Sequence, residues 1–317
     1  MARPRILLAE PEDFSPRALA KLQAWADVDV RQTARDEWPA ALRDYDAVWF
    51  RLAHRVDAKL VSNAERCRVL ATPVTGIDHI DLDACRAKGI EVVCLKGETE
   101  FLRNVRATAE LTVGLALALM RHIPEARESV RAGHWKRDLF RGNELYGKTV
   151  GLIGVGRLGT ITAGYFQAFG MKVIGFDPRS DFPAGIDRAS SLEQLLGQSD
   201  VVSVHVSYSA ATHHLIDERA LNAMKPGSWL VNTARGGVVD EVSLLSALRA
   251  GRLAGAALDV LSGEPDVDAR HPVVAYAQNH DNVLLVPHIG GNTFESFEKT
   301  ELFLADKVQA ALARATP

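Results

Sequence analysis

The chain has 317 residues, with 37 Lys and Arg against 40 Asp and Glu and a formal net charge of −3. That near-balance excludes the broad basic face that nucleic-acid binding requires, and the length points to two domains rather than one. With 47% apolar and 24% charged residues the composition is that of a soluble globular protein, and three cysteines (Cys67, Cys85 and Cys94) without metal-ligand spacing imply buried, reduced thiols in a cytoplasmic protein that holds no metal.

MARPRILLAE runs directly into a strand-like segment with no leader pattern. Short apolar or β-branched runs follow at Arg5–Ala9, Val28–Arg31, Ala47–Phe50, Arg68–Thr72 and Ile90–Cys94. Between them Ser15–Trp25, Trp38–Leu42, Asp57–Ala64 and Asp81–Lys88 read as helices, with Ser15-Pro16 and Asp57 as start signals. Such alternation predicts a parallel sheet covered on both faces. The Ala/Leu-rich segment Asn104–His122 then predicts one long helix, apolar around much of its circumference and ended by Pro124. Its most apolar part, Leu111–Met120, is too short to span a bilayer. After a polar stretch, a second alternating series predicts six strands, Thr149–Ile153, Lys172–Phe176, Val201–Val206, Ser228–Asn232, Gly255–Asp259 and Val283–Val286, before a last helix over Thr293–Ala313. Six parallel strands make a full dinucleotide-binding sheet.

Thr149–Thr160, TVGLIGVGRLGT, carries Gly154, Gly156 and Gly159 in G-x-G-x-x-G spacing. Alone the string is a weak signal. Here it joins a strand to a helix, and the next strand ends in Asp177, where a carboxylate takes the adenosine ribose hydroxyls and repels a 2′-phosphate. NAD is therefore expected over NADP, although Arg179 softens the preference. Ligands of open α/β sheets bind beyond the carboxyl ends of the strands. Three such ends carry Arg235, Glu264 and His288. A guanidinium can hold a carboxylate through two parallel hydrogen bonds, an imidazole moves protons near neutral pH, and a carboxylate beside it favours imidazolium and fixes its tautomer. Gly236 and Gly237 let the backbone turn after Arg235.

Taken together, TGIDHIDLDACRAKGI (75–90), ATAELTVGLALAL (107–119), ELYGKTVGLIGVGRLG (144–159), MKPGSWLVNTARGGVVDE (224–241), GAALDVLSGEP (255–265) and VPHIGGNT (286–293) resemble the D-isomer-specific 2-hydroxyacid dehydrogenase family over nearly the whole chain. The resemblance implies an α/β protein of two doubly wound parallel-sheet domains, a Rossmann NAD-binding domain over 99–289 inserted into a discontinuous flavodoxin-like substrate domain of 1–98 and 290–317. It implies Arg235, Glu264 and His288 as the catalytic set. Gly154, Gly156, Arg157, Leu158 and Gly159 would meet the cofactor pyrophosphate, Asp177 and Pro178 its ribose, and His205, Ser207, Thr212, Thr233, Ala234, Asp259 and Gly290 its adenine or nicotinamide side. Thr75 and Gly76 would serve cofactor and substrate, Arg51 and Leu52 the substrate, and the helix 104–122 a homodimer interface. The expected ligands are NAD or NADH and a small 2-hydroxy or 2-oxo acid.

Departures from the pattern bear on the substrate. Arg51 stands where phosphoglycerate dehydrogenases carry the arginine of a V-R-S loop, but Leu52 replaces the serine and Thr72 a second phosphate-binding arginine. Thr75 replaces the lysine of phosphite dehydrogenase. Tyr208 lies in an altered loop after His205, and Lys96–Asn104 is longer than the usual connection. The alternative is a dehydrogenase of a phosphorylated or phosphonate-bearing acid, its extra charge met by Arg51, Arg55 or Lys96. A reading of another class is an NAD-sensing corepressor-like binding protein, which the lack of a tail beyond the terminal helix opposes.

Overall fold

The computed structural model describes residues 3–315. By contacts the chain divides into two compact units, 1–105 with 292–317, and 106–291. The first unit contains β1 (Arg5–Leu8), α1 (Pro16–Gln23), β2 (Asp27–Val30), α2 (Trp38–Asp44), β3 (Ala47–Trp49), α3 (Ala58–Val61), β4 (Val69–Ala71), α4 (Leu82–Ala87), β5 (Glu91–Val93) and α5 (Thr99–Leu102). Its strands are all parallel, in the order β2-β1-β3-β4-β5, which is the flavodoxin-like order. The inner strands β1, β3 and β4 are apolar runs because both faces are covered. Leu7, Val48 and Leu70 point into one cluster with Trp38, Leu42 and Leu60. Ile6, Leu8, Trp49 and Ala71 point into the other, with Leu22. Ser15 caps α1 by accepting the Ala18 N–H, Pro16 opens it, and Asp57 caps α3 through the Leu60 N–H, as the start signals predict.

The second unit contains α6 (Ala107–Met120), α7 (Ile123–Arg131), β6 (Thr149–Ile153), α8 (Arg157–Ala168), β7 (Lys172–Phe176), β8 (Asp187–Arg188), α9 (Leu192–Gln198), β9 (Val201–Val204), α10 (Glu218–Ala223), β10 (Ser228–Asn232), α11 (Glu241–Arg249), β11 (Leu253–Leu258), α12 (Pro272–Ala277) and β12 (Val283–Leu285). Its order is β8-β7-β6-β9-β10-β11-β12, all parallel, so the chain reverses direction across the sheet between β6 and β9. The protein is thus an α/β fold with five- and seven-stranded parallel sheets. Val150, Leu152, Val231 and Ala257 face α6 and α8, while Val202, Val204, Leu230 and Leu258 face the cluster carrying Leu195, Leu221 and Leu244. The last helix, α13 (Phe294–Ala315), returns to the first unit and buries Leu304, Ala305 and Val308 against its sheet.

Three expectations need correction. The second sheet has seven strands rather than six, since β8 pairs with β7 through only two residues, both exposed, and so leaves no apolar signature. The helix expected over 104–122 is confined to 107–120. His122 takes a left-handed conformation at φ 53°, and Pro124 lies in the first turn of a second helix, α7, instead of merely ending the first. Proline is tolerated there because the first-turn N–H has no intrahelical partner. The division between domains expected at 98 and 99 also moves, since the connection 96–104 holds α5. Leu102, Phe101 and Val105 pack on the cluster of the first unit, which carries the division between units to 105 and 106 rather than 98 and 99.

Candidate functional site

The glycine turn after β6 is built for close approach. Gly154 adopts φ +89° and donates its N–H to the Phe176 carbonyl at 2.8 Å, and a Cβ there would stand 2.7 Å from the His205 carbonyl oxygen. A Cβ on Gly159, in the first turn of α8, would lie 2.2 Å from the Gly154 carbonyl oxygen, so helix and strand end meet only because both residues are glycine. Gly156 is different. It is the N-cap of α8 without a side-chain cap, and its Cβ would meet nothing nearer than Arg179 Nη2 at 3.8 Å. The N-terminus of α8 therefore offers backbone donors, helix dipole and open space together, which is what a pyrophosphate needs. Arg157 and Leu158 begin that helix half-buried, and burial pulls the Arg157 guanidinium below its ordinary value.

Asp177 follows β7 and is 7% exposed. Its carboxylate accepts the Val155 N–H at 3.0 Å, the Arg179 N–H at 3.0 Å, and Arg179 Nε and Nη2 at 2.9 and 3.2 Å. Burial opposes the charge, but the Arg179 guanidinium and the two N–H groups hold the carboxyl below its usual range. Asp177 thus ties β7 to the glycine turn. Pro178 beside it is exposed.

After β9, His205 turns its ring inward. Its Nε2 lies 2.9 Å from Ser203 Oγ, and burial pushes its pKa down to about 4. Ser207 and Thr212 close a loop on each other, with Thr212 Oγ1 donating to the Ser207 carbonyl at 2.8 Å. Thr233, buried after β10, bonds Thr112 of α6 through its hydroxyl at 2.9 Å. Ala234 and Arg235 are held by Asn232, whose Oδ1 accepts the Ala234 N–H and whose Nδ2 donates to the Arg235 carbonyl, both at 3.0 Å. Arg235 Nη1 donates to the Ala234 carbonyl at 2.8 Å.

Neither Gly236 nor Gly237 takes a positive φ. They are there for space rather than flexibility. A Cβ on Gly236 would lie 2.0 Å from the Leu261 carbonyl carbon, and one on Gly237 would lie 2.7 Å from the Tyr208 ring. The turn after Arg235 is thereby pressed against the loop after β11. That loop carries Glu264, whose Oε1 accepts the Leu261 N–H at 2.6 Å and whose Oε2 stands 2.6 Å from His288 Nδ1. The two side chains are 29% and 27% exposed.

His288 itself sits at φ +54°, a left-handed conformation that costs a non-glycine residue about 1–3 kcal/mol. Asp259 compensates for this. Its carbonyl accepts the His288 N–H at 2.8 Å, and its carboxylate accepts the N–H of Ile289 at 2.6 Å and of Gly290 at 2.9 Å. Asp259 is 1% exposed, and its pKa is pushed up to about 6 by burial and by the Glu264 charge, against the pull of the two N–H groups and His288. Glu264, His288, Asp259 and the Arg235 turn are brought together on one edge of the second unit.

Arg51, Leu52, Thr75 and Gly76 lie in the first unit. Thr75 is exposed and Gly76 half-buried. Arg51 is engaged internally. Its guanidinium pairs with Glu301 of α13 at 2.7 Å, donates to the Glu12 carbonyl at 2.6 Å and stacks over Phe297 at 4.1 Å. Glu10 collects the N–H groups of Arg51, Leu52 and Ala53 at 2.9, 3.2 and 3.4 Å. Sequence reasoning missed Glu10, Glu301 and Asn232. Only Asn232 left a local signal, as an Asx residue two before the turn it clamps.

Residues 113–290 match the family described as D-isomer specific 2-hydroxyacid dehydrogenase, NAD binding domain. A D-3-phosphoglycerate dehydrogenase of Mycobacterium tuberculosis is 38% identical over 319 residues, covering 99% of this chain but 58% of the relative, so the chain spans little more than half of that protein. A glyoxylate reductase of Thermofilum pendens is 37% identical over 332 residues, covering 100% of this chain and 94% of the relative. The solved D-lactate dehydrogenase of Aquifex aeolicus, complexed with NAD and lactic acid, is 30% identical, with a TM-score of 0.83 over 96% of this chain and 94% of that one.

Proposed function

The chain belongs to the D-isomer specific 2-hydroxyacid dehydrogenase family, and from that premise we propose that it exchanges a hydride between NAD(H) and C2 of a small, unphosphorylated D-2-hydroxy or 2-oxo acid. The observation that carries the reading is the 2.6 Å pair of His288 Nδ1 and Glu264 Oε2. With Glu264 accepting the Nδ1 proton, Nε2 is the working nitrogen. In imidazolium it donates to the carbonyl oxygen of a 2-oxo acid, and in neutral imidazole it accepts the hydroxyl proton of a 2-hydroxy acid. Arg235 binds the substrate carboxylate and polarises the neighbouring carbonyl. The bound nicotinamide supplies or receives the hydride. Asp259 holds the backbone that presents His288.

The cofactor assignment is supported by the uncapped N-terminus of α8 and by Asp177. A carboxylate at that place suits the hydroxyls of NAD and repels the 2′-phosphate of NADP, while Arg179, now bonded to it through two nitrogens, has to release it for a ribose to bind. The remaining cofactor positions, Ser207, Thr212, Thr233, Ala234 and Gly290, and the substrate positions Leu52, Thr75 and Gly76 keep the roles that the family resemblance implies. Arg51 is not assigned to substrate binding, because Glu301, the Glu12 carbonyl and Phe297 already hold its guanidinium. That favours an uncharged distal group over a phosphate. The substrate role is assigned to the first unit and the nucleotide role to the second.

We also assign a homodimer contact to the second unit. Eight side chains of α6 are already buried, so the contact belongs less to that helix than to the segment 123–146, where Ile123, Val130, Trp135, Leu139 and Tyr146 are exposed. Three free buried thiols support residence in the cytoplasm. The reading is tested by following NADH and NADPH oxidation with glyoxylate, hydroxypyruvate, pyruvate and a phosphorylated 2-oxo acid. Turnover of an unphosphorylated acid with NADH is expected. Turnover confined to the phosphorylated acid, or to NADPH, would overturn the corresponding part.

A further inference from the structure

A second carboxylate–imidazole pair stands behind Glu264. Glu241, the first residue of α11, places Oε2 3.3 Å from Nε2 of His271, the residue that caps α12. The two side chains are 15% and 16% exposed. The other oxygen of Glu241, Oε1, accepts the Ser262 N–H at 2.7 Å. The preceding N–H, that of Leu261, is the one Glu264 accepts at 2.6 Å. Two consecutive N–H groups of one turn are therefore held by two carboxylates, one from α11 and one from Glu264 itself. Glu264 spends Oε1 on the turn and has Oε2 left for His288, so the position of the turn sets the reach of Glu264.

We propose that Glu241 and His271 are positioning residues for the proton-transfer pair. Glu241 fixes the turn 261–264 from behind, and His271 fixes Glu241, so that Glu264 Oε2 meets His288 Nδ1. This rests on the proton-transfer role proposed for Glu264 and His288. The electrostatics agree with the geometry. Burial raises the Glu241 pKa, and the Ser262 N–H and His271 oppose that rise, so both contacts help to keep the carboxylate charged in a half-dry place. The charged groups facing it are His271 ahead of α12 and Glu264 on the turn. Neighbouring Asp240 is turned to the start of α11, accepting from Ser243.

The test uses the full chain, with an accepted 2-oxo acid and NADH. Glu241→Ala removes both contacts and is expected to lower kcat by on the order of tenfold to a hundredfold, as a displacement approaching an ångström does. NADH affinity is expected to hold, and the basic limb of the rate–pH profile to move to lower pH as the imidazolium loses its well-placed partner. Glu241→Gln keeps an oxygen for the Ser262 N–H and is expected to recover most of kcat. A merely structural role would lower thermal stability without moving the basic limb. Unchanged kcat and pH profile in Glu241→Ala, or equal losses in the Ala and Gln variants, would overturn the proposal. Should Glu241→Ala fail to fold, His271→Asn carries the test, with a smaller loss of kcat and the same direction of shift expected, and no shift overturning it. His288→Ala is measured alongside. If it retains turnover, the proton-transfer reading falls, whereas loss in His288→Ala without loss in Glu241→Ala removes only the positioning role.

Discussion

Gly236→Ala is the sharpest perturbation of how the Arg235 turn and the Glu264 loop are fitted together. The added Cβ would stand 2.0 Å from the Leu261 carbonyl carbon, 2.3 Å from its oxygen and 2.3 Å from the Ser262 nitrogen. Carbon atoms rest at about 3.5–4.0 Å, so the overlap is roughly 1.5 Å. All three atoms are backbone, and no rotamer change relieves it. Either Arg235 or the 261–264 turn must move by about an ångström, at a cost in stability of about 1–3 kcal/mol. A displacement of that size beside the groups proposed to react lowers rate by about a hundredfold, so kcat should fall together with the melting temperature. The comparison is Gly237→Ala, whose Cβ has side-chain atoms of Tyr208 as its three nearest neighbours, the first at 2.7 Å. That ring is 39% exposed and can swing aside, so a smaller loss is expected. Steady-state kinetics and thermal unfolding of both variants read the difference. A Gly236→Ala protein with wild-type kcat and melting temperature would refute the fitting of the two loops.

Arg51→Ala should destabilise the protein by about 3–5 kcal/mol, since Glu301 is fully buried and loses its cationic partner. Burial already raises the Glu301 pKa, so its contribution is fully present below the unfolded carboxyl value and is lost as pH rises through the higher folded value. The variant's melting temperature should therefore drop more at alkaline than at mildly acidic pH, and a pH-independent drop would contradict this. Arg179→Ala frees Asp177 for ribose hydroxyls and removes a cation, so kcat/KM should shift further towards NADH over NADPH, whereas a shift towards NADPH would remove Asp177 from cofactor choice. Burial pushes the Cys67 thiol up to about 12 and the Cys85 thiol up to about 11, so thiol reagents at neutral pH should label them only after denaturation.

Much of the fold and site was legible because the signals were local. A glycine turn sits between a strand and a helix, Asp177 ends the next strand, and a histidine follows proline at the end of a third. Short apolar runs also located most of the parallel strands, those buried on both faces. What was hidden depended on distant partners. Nothing near Arg51 reveals that Glu301, on the last helix, claims its guanidinium. The role of Gly236 depends on Leu261, which approaches it only in the folded sheet. Strand β8 escaped because two exposed residues carry no pattern, and α7 because a proline that stops one helix can open another.

His288, held by Glu264, is the residue proposed to move the proton that accompanies hydride transfer. The direct measurement of that role is NADH-dependent reduction of an accepted 2-oxo acid by His288→Ala, beside NADH binding to the same variant. Turnover should fall by about a hundredfold to ten-thousandfold with cofactor binding retained. Turnover near that of the wild type would contradict it.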